Sequence, residues 1–392
     1  SILNALGHFT RPALLPVLLN TVWITAIWFV APQFETAHEK IFAIAFSIVA
    51  AGILQLFLPL PVLWRFGFRF DRRWKQARGK VAEITRIMLP VMIGLSVTQL
   101  NTLCDSLMAW GLAPPESASS WRLFENPESY PLTTGTAAAL YLGQRMYQFP
   151  LGVFGVALGT VLFPLLSRHA KRGELDRLKD DLTLGMRLVI AIGIPATVGL
   201  ILLAKPLTSL LFQYGEFDEQ DARQTAEMIV AYGIAVWAYC GLLIIHRGYY
   251  AIGDTKTPVR IGMMTVGLNL ALNLTLIWPL GGRGLALSTA LCAMIQVCAV
   301  TWVFQKHIGS LSWSELRRTL IRVFAASSLM GITVYWSLKL TTTSSVTIAS
   351  RLLPVVVPFL AAIFVYLLCA RLLRINEVWL LLPRRNQSRN VS

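Results

Sequence analysis

Ten apolar segments follow one another through this chain, at about 13–31, 42–63, 84–110, 136–166, 184–204, 226–251, 258–280, 284–305, 319–340 and 349–371. Each is long enough to cross a bilayer as a helix, which takes about 20 mostly apolar residues. Inside lipid the backbone must satisfy its own polar groups, so such a chain folds as packed helices. The loops sharpen this reading. Of the 35 lysines and arginines, 25 lie in 1–12, 64–83, 168–183, 247–260, 306–322 and 371–392. Seven lie in 32–41, 111–135, 205–225, 281–283 and 339–351, and the other three, Arg86, Arg145 and Arg187, fall within segments. The two sets of loops alternate strictly. That is the positive-inside pattern, and it puts the basic loops and both ends of this chain in the cytoplasm. The formal charge of +15 is thus spread over short loops and forms no stripe for nucleic acid. Only 14% of residues are charged and the mean hydropathy is +0.59, where a soluble domain carries about 25% charged residues.

The segment Thr136 to Leu166 holds one ionisable residue, Arg145. An arginine near the centre of a spanning helix costs at least about 2.5–3.5 kcal/mol. Tyr141, Arg145 and Gln148 follow at i, i+4 and i+7 and share one helix face. Either that face lines a wet cavity, or Arg145 snorkels to the headgroups. Snorkelling must bridge roughly 15 Å, since Arg145 sits about ten residues into the helix. Pro150 is expected to kink the helix below the polar face. Gly155 and Gly159, four apart, let another helix approach closely.

A second polar set lies elsewhere. Asp105 falls in 84–110, after Gln99 and Asn101. A buried aspartate is expensive, so it pairs with Arg145, holds a coupling cation or proton, or sits near the outer end in water. Thr265, Asn269 and Asn273 recur every four residues on one face and either glue helices together or line a cavity. Asp254 or Thr255 is placed to cap a helix restart with Pro258 in its first turn. Residues 168–183 mix both signs and read as a surface helix at the headgroups or a solvated connector. The loop 111–135 contains Pro114, Pro115, Pro127 and Pro131 and reads as an external insertion.

The five cysteines, Cys104, Cys240, Cys292, Cys298 and Cys369, lie in apolar segments without a CxxC pair and read as small packing residues. There is no HExxH, GxSxG or GxxxxGK[ST] pattern, and the chain does not read as an enzyme. Without a nucleotide site, any transport runs on a gradient or on substrate flow. A weak repeat relates Gly7, Pro12 and Asn20 to Gly253, Pro258 and Asn269. Taken as real, it makes a six-helix parallel unit with a site between two halves, the first lacking its opening three to four helices. The stretch Ser1 to Phe9 reads as the end of a helix already under way, so an N-terminally truncated chain is expected.

Three stretches then resemble one family. Tyr141 to Thr160 (YLGQRMYQFPLGVFGVALGT), Leu211 to Phe217 (LFQYGEF) and Tyr249 to Val259 (YYAIGDTKTPV) resemble motifs of the MurJ/MviN lipid II flippases, relatives of MATE-type antiporters. Ser1 to Asn4 and Pro12 to Asn20 also fit, and the likeness runs in order through nearly the whole chain. The resemblance implies an all-α polytopic membrane protein of fourteen helices in two lobes, of which ten spans are here. It divides this chain into the end of the N-terminal lobe (1–63), a basic cytoplasmic linker (64–83), the C-terminal lobe (84–305) and two extra helices with a basic tail (306–392).

The resemblance further implies a bacterial inner-membrane protein, read as a monomer, whose partners are the bilayer and an undecaprenyl-diphosphate-linked peptidoglycan precursor. No cofactor or metal is implied, and a coupling ion or the membrane potential is left open as the drive. Arg145 matches the cavity arginine of the family's eighth helix, and Asp105 a frequent aspartate of the seventh. Gln148 and Gln144 stand where many members carry acids, which puts a carboxylate gate there in doubt. The family's arginines on helices one and two have no counterpart in this chain, and its last two helices are thought to hold the lipid tail. The expected substrate-binding set is Arg145, Gln148, Tyr141, Asp105, Asn269 and Asn273. A guanidinium suits a diphosphate because it binds phosphate as a planar fork. The alternatives are a MATE-like cation-coupled exporter with Asp105 as coupling site, and a non-transporting membrane scaffold.

Overall fold

The computed structural model describes residues 10–67, 74–114, 129–341 and 348–380. The opening nine residues, most of the outer loop 111–135, part of the 64–83 linker and the basic tail beyond 380 lie outside the described residues. The described residues are helical throughout, joined by turns, with no strand among them. Among the described residues eight helices are long and apolar enough to cross a membrane, or nine if one bent pair counts as a span. The chain falls into two compact units, 1–86 and 87–392.

In the first unit α1 (Thr10–Thr25) runs on through a π turn (Ala26–Val30) and a 3-10 turn (Ala31–Gln33). Helix α2 (Ala37–Phe57) starts at a reciprocal cap. Glu39 N donates to Thr36 Oγ1 at 3.3 Å, and Thr36 N donates to Glu39 Oε2 at 3.2 Å. Gln55 Nε2 donates back to Leu15 O at 2.6 Å and ties α2 to α1. Ala26, Ala31 and Ala51 are buried, so small residues set the close approach while larger apolar side chains face outward. A short α3 (Leu60–Arg65) follows Pro59.

Helix α4 (Trp74–Gly111) carries the expected segment 84–110 and also much of the expected linker. Lysine, glutamine, alanine and arginine at 75–78 are good helix formers, so nothing ends the helix at the membrane edge. In the second unit α5 (Thr136–Pro150) leads through a π turn (Leu151–Val156) into α6 (Ala157–Arg172). Pro150 has no N–H for the carbonyl of Met146, and the helix widens for one turn just after it. Then come α7 (Leu175–Leu211), α8 (Glu219–Gly233), α9 (Val236–Ala251), α10 (Lys256–Leu280) and α11 (Gly282–Ile308). The chain ends in α12 (Trp313–Thr341), α13 (Ile348–Leu372) and the single turn α14 (Asn376–Trp379).

Two sequence expectations change here, and one alternative is resolved. The stretch 168–183 is not a separate surface helix: α6 and α7 both run into it and meet at Gly173, whose φ of +71° makes the turn. Part of its charge is used inside the fold, with His169 Nδ1 2.6 Å from Glu174 and Nε2 3.3 Å from Asp181. The hydrogen bond to His169 is the main reason the Glu174 carboxyl lies below the usual carboxylate range. The segment 226–251 is two helices, α8 and α9, bent by 44°. At the restart before α10, Asp254 is the cap: its Oδ1 accepts from the N–H of Lys256 and of Thr257, both at 3.0 Å.

Helix α5 lies on α8 through Gly143, and Gly155 meets Leu243 and Cys240 of α9. A Cβ at Gly143 would stand 2.8 Å from Met228 Cβ and 3.3 Å from its backbone carbon. Gly143→Ala is therefore expected to destabilise by about 1–3 kcal/mol, read as a lower thermal midpoint of the purified chain. An unchanged midpoint would mean the two helices separate freely. All five cysteines are free.

Helices α12 and α13 pack on α7 through Ala191, Leu203, Val323, Ala326, Met330, Ala362 and Tyr366. A part-buried ion group closes that contact. Arg187 of α7 reaches Glu377 at 2.6 Å and Glu315 at 2.6 Å. Thr319 Oγ1 donates to the same Glu377 oxygen at 2.8 Å.

Candidate functional site

On α5 the residues Thr136, Ala139, Leu140, Gly143 and Tyr147 are buried, and Tyr141, Arg145 and Phe149 are exposed on another face. That spacing is what an α-helix gives when one side packs on a neighbour. Arg145 Nη1 donates to Gln148 Oε1 at 3.0 Å, and Nη2 donates to Tyr141 Oη at 3.1 Å. The guanidinium carbon also lies 4.8 Å from the centre of the Tyr141 ring. All three partners of the expected face thus meet. Both hydrogen-bonded partners are neutral, and no carboxylate forms an ion pair with Arg145 among the described residues. A guanidinium has five N–H donors, so this one is steadied without being neutralised.

Asp105 lies in a different setting. It is 7% exposed, so it is neither wet nor at an open helix end. Its expected pairing with Arg145 is also corrected. Asn273 Nδ2 of α10 donates to Oδ1 at 2.6 Å, and Thr289 Oγ1 of α11 donates to Oδ2 at 3.1 Å. Asn101, one turn earlier on α4, reaches Oδ2 at 3.4 Å. With its amide nitrogen turned toward α4, Asn269 donates to Asp105 Oδ1 at 3.3 Å and to Asn101 Oδ1 at 2.9 Å. The physical reason for the correction is that neutral donors from α10 and α11 occupy both carboxylate oxygens.

One turn beyond each of these residues stands an apolar one: Ala109 after Asp105, Ile277 after Asn273, Leu285 before Thr289. All three belong to one buried cluster with Tyr147, Met228 and Tyr232. That cluster adjoins the polar group along the chain, and Tyr239 adds a ring stacked on Tyr147 at 4.4 Å. The polar group therefore holds one buried carboxylate and no basic side chain. Asn273 Oδ1 is buried there without a hydrogen-bond partner. Beside the amide nitrogens that donate to Asp105, the oxygens there include those of its carboxylate, Asn273 Oδ1 and Thr289 Oγ1, and both carboxylate oxygens already accept hydrogen bonds. A single negative charge balances a proton or a monovalent ion. No cluster of three or more His, Cys, Asp or Glu occurs among the described residues.

The family model for lipid II flippase MurJ matches residues 1–356. The chain belongs to this family. Among curated MurJ relatives, a probable lipid II flippase of Vibrio cholerae serotype O1 is 33% identical over 297 residues, 76% of this chain and 52% of its own length. A lipid II flippase of Burkholderia cenocepacia is 29% identical over 301 residues, 75% of this chain and 54% of its own. The chain thus spans about half the length of the curated relatives it matches. A solved structure of lipid II flippase MurJ in an inward closed conformation superposes with a TM-score of 0.72 at 22% identity, over 96% of this chain and 70% of that one. The fold is therefore the all-helical MurJ fold of a multi-pass membrane protein.

Three members of these sites, Thr289, Tyr147 and Tyr239, escape a sequence reading. Thr289 sits in an apolar helix, where a threonine is usually taken up by its own helix; its Oγ1 also lies 3.3 Å from Leu285 O. The stacked Tyr147 and Tyr239 sit on buried helix faces, where an aromatic reads as core. Asn101 was noticeable only as the residue one turn before Asp105.

Proposed function

We propose that this chain moves lipid II, the undecaprenyl-diphosphate-linked peptidoglycan precursor, across the bacterial inner membrane by alternating access. Arg145 carries the reading. It is a guanidinium in a helix of a membrane protein, held open by two neutral partners, with no acid to cancel it. A diphosphate is the group that such a fork takes best, and the membership of the MurJ family supports that substrate. Tyr141 and Gln148 then position the guanidinium and add polar contacts to the headgroup. In this reading residues 1–63 are the end of an N-terminal lobe, 64–83 a linker, and residues 84–305 the second lobe. The last helices supply a lipid-facing groove. The ten spans, with α4 among them, and the cytoplasmic placing of the basic loops belong to the same proposal.

The function is tested by selectivity. The purified chain should bind an undecaprenyl-diphosphate-linked precursor in detergent and show no saturable binding of lipophilic drug cations. The reverse preference would establish the cation exporter instead.

The Asp105 group supports coupling to a proton or a monovalent cation, since its carboxylate is buried among neutral donors. Asn269, Asn273 and Thr289 hold it from two helices, so binding there changes how α4 sits on α10 and α11. Asp105→Asn is expected to leave partial transport activity and to weaken its dependence on the ion gradient. Complete loss at normal membrane abundance would make the charge obligatory.

A further inference from the structure

The last turns of α6 carry a charge pattern that the transport reading does not use. Arg168, Lys171 and Arg172 line a groove of about 360 Å³ together with Pro164 and Ser167. They recur at helical spacing, so they rise along one side of the helix. The same end of the fold is rich in acids, and three of them have other ion-pair partners, while Asp180 is exposed and Arg172 lies in the field of Glu174. Glu174 is bound to His169 and 3.4 Å from Arg177, Asp181 faces His169, and Asp176 pairs with Lys179 at 2.7 Å. None of Arg168, Lys171 and Arg172 stands within ion-pair distance of a carboxylate among the described residues. Ser167 differs from Thr160, which donates to the carbonyl of Val156 one turn back; its hydroxyl remains free beside the three cations.

The position fixes what such a group meets. The run from Thr136 to Arg172 is 37 residues, about 55 Å at 1.5 Å per residue. A bilayer with its headgroups is about 40–45 Å thick. Arg168, Lys171 and Arg172 end this run, and exposed charges of that kind are excluded from hydrocarbon, so its last turns lie at or just beyond the headgroups. There an unpaired set of three cations and one hydroxyl meets phosphodiesters. We propose that Pro164, Ser167, Arg168, Lys171 and Arg172 form a binding site for the headgroup of an anionic phospholipid. The guanidinium groups take the phosphate, Ser167 donates to it, and Pro164 leaves the helix side open for the glycerol backbone. The site holds a lipid of the surrounding leaflet, whatever molecule the chain moves.

The test uses the purified 392-residue chain in neutral detergent, titrated with phosphatidylglycerol, phosphatidylcholine or inorganic phosphate. Bound lipid is read by native mass spectrometry. Phosphatidylglycerol should bind saturably and phosphatidylcholine several-fold more weakly. The triple variant Arg168→Gln, Lys171→Gln, Arg172→Gln should weaken phosphatidylglycerol by about fivefold for each charge removed. These side chains are exposed, and an unchanged thermal midpoint confirms that the variant is folded. The control is Arg177→Gln with Lys179→Gln, which removes two acid-paired charges from the same end and should change binding little. Equal loss in the control would reduce the effect to net charge and overturn the site. So would unchanged binding in the triple variant, or displacement of the lipid by millimolar inorganic phosphate.

Discussion

Arg145→Ala is expected to abolish measurable binding of undecaprenyl diphosphate by the purified chain while leaving its abundance and thermal midpoint intact. The side chain is exposed and makes hydrogen bonds only within its own helix, to Tyr141 and Gln148. Its removal therefore takes nothing from the core. What it takes is the charge and both arms of the fork. Hydrogen bonds to a charged group contribute about 1.5–3 kcal/mol each, so losing two should cost about a hundredfold in affinity or more. Arg145→Lys keeps the charge and loses the fork, and it should bind about tenfold more weakly than the arginine form. A snorkelling arginine gives the opposite pattern, with lysine equal to arginine and alanine tolerated. Rescue of a bacterium depleted of its lipid II flippase, with membrane levels measured alongside, carries the same comparison into the cell. Full binding by the alanine form would end the diphosphate reading.

Glu377→Ala should have the largest effect on stability. Its carboxylate is almost fully buried and receives Arg187 and Thr319, which come from α7 and α12. Removing one partner of a buried pair costs about 3–5 kcal/mol because the other charge is left unpaired. Arg187 is part-exposed and keeps Glu315 at 2.6 Å, so about 2–3 kcal/mol is the expected loss here. It should appear as easier proteolysis after α12 and as a lower thermal midpoint. The pH dependence has a definite sign. Burial alone would raise the Glu377 carboxyl, but its own backbone N–H, Thr319 and Arg187 outweigh that and hold it below its ordinary value of 4.5. Its contribution is thus complete above about pH 4.5 and is lost as the pH falls through the folded value. The variant and the parent should converge in stability at low pH. A constant gap down to pH 3 would assign the loss to packing and not to the ion group.

What the sequence disclosed divides by distance along the chain. Tyr141, Arg145 and Gln148 lie within eight residues, and helix geometry alone was enough to set them on one face. The recurrence of Asn269 and Asn273 on one side of α10 was legible for the same reason. Asp105 was not, because Asn273 and Thr289 are 168 and 184 residues away. No periodicity reports a partner at that range, and the nearest obvious cation, Arg145, was the wrong choice. Glu377 stands 190 residues from Arg187 and was hidden equally well. Residues 168–183 were legible only in part. Their mixed charges suggest a headgroup surface, which Arg168, Lys171 and Arg172 still fit, but the use of His169, Glu174 and Asp181 in joining α6 to α7 was not readable.

The wide turn after Pro150 also has a consequence for angular phase. A π turn accommodates one more residue than an α turn, and one residue corresponds to roughly 100° of rotation about the axis. Every side chain from Ala157 onward therefore points in a direction that an unbroken α-helix from Thr136 would not give. The Arg145 face and the Gly159 face are set by two separate registers, joined at Leu151–Val156. Deleting a single residue within that turn would merge the registers. Gly159 would then swing away from Arg247, whose Nε now lies 3.4 Å from where its Cβ would be. The six residues of the turn thus act as a clocking joint, fixing which way the guanidinium points relative to the helix packing below it.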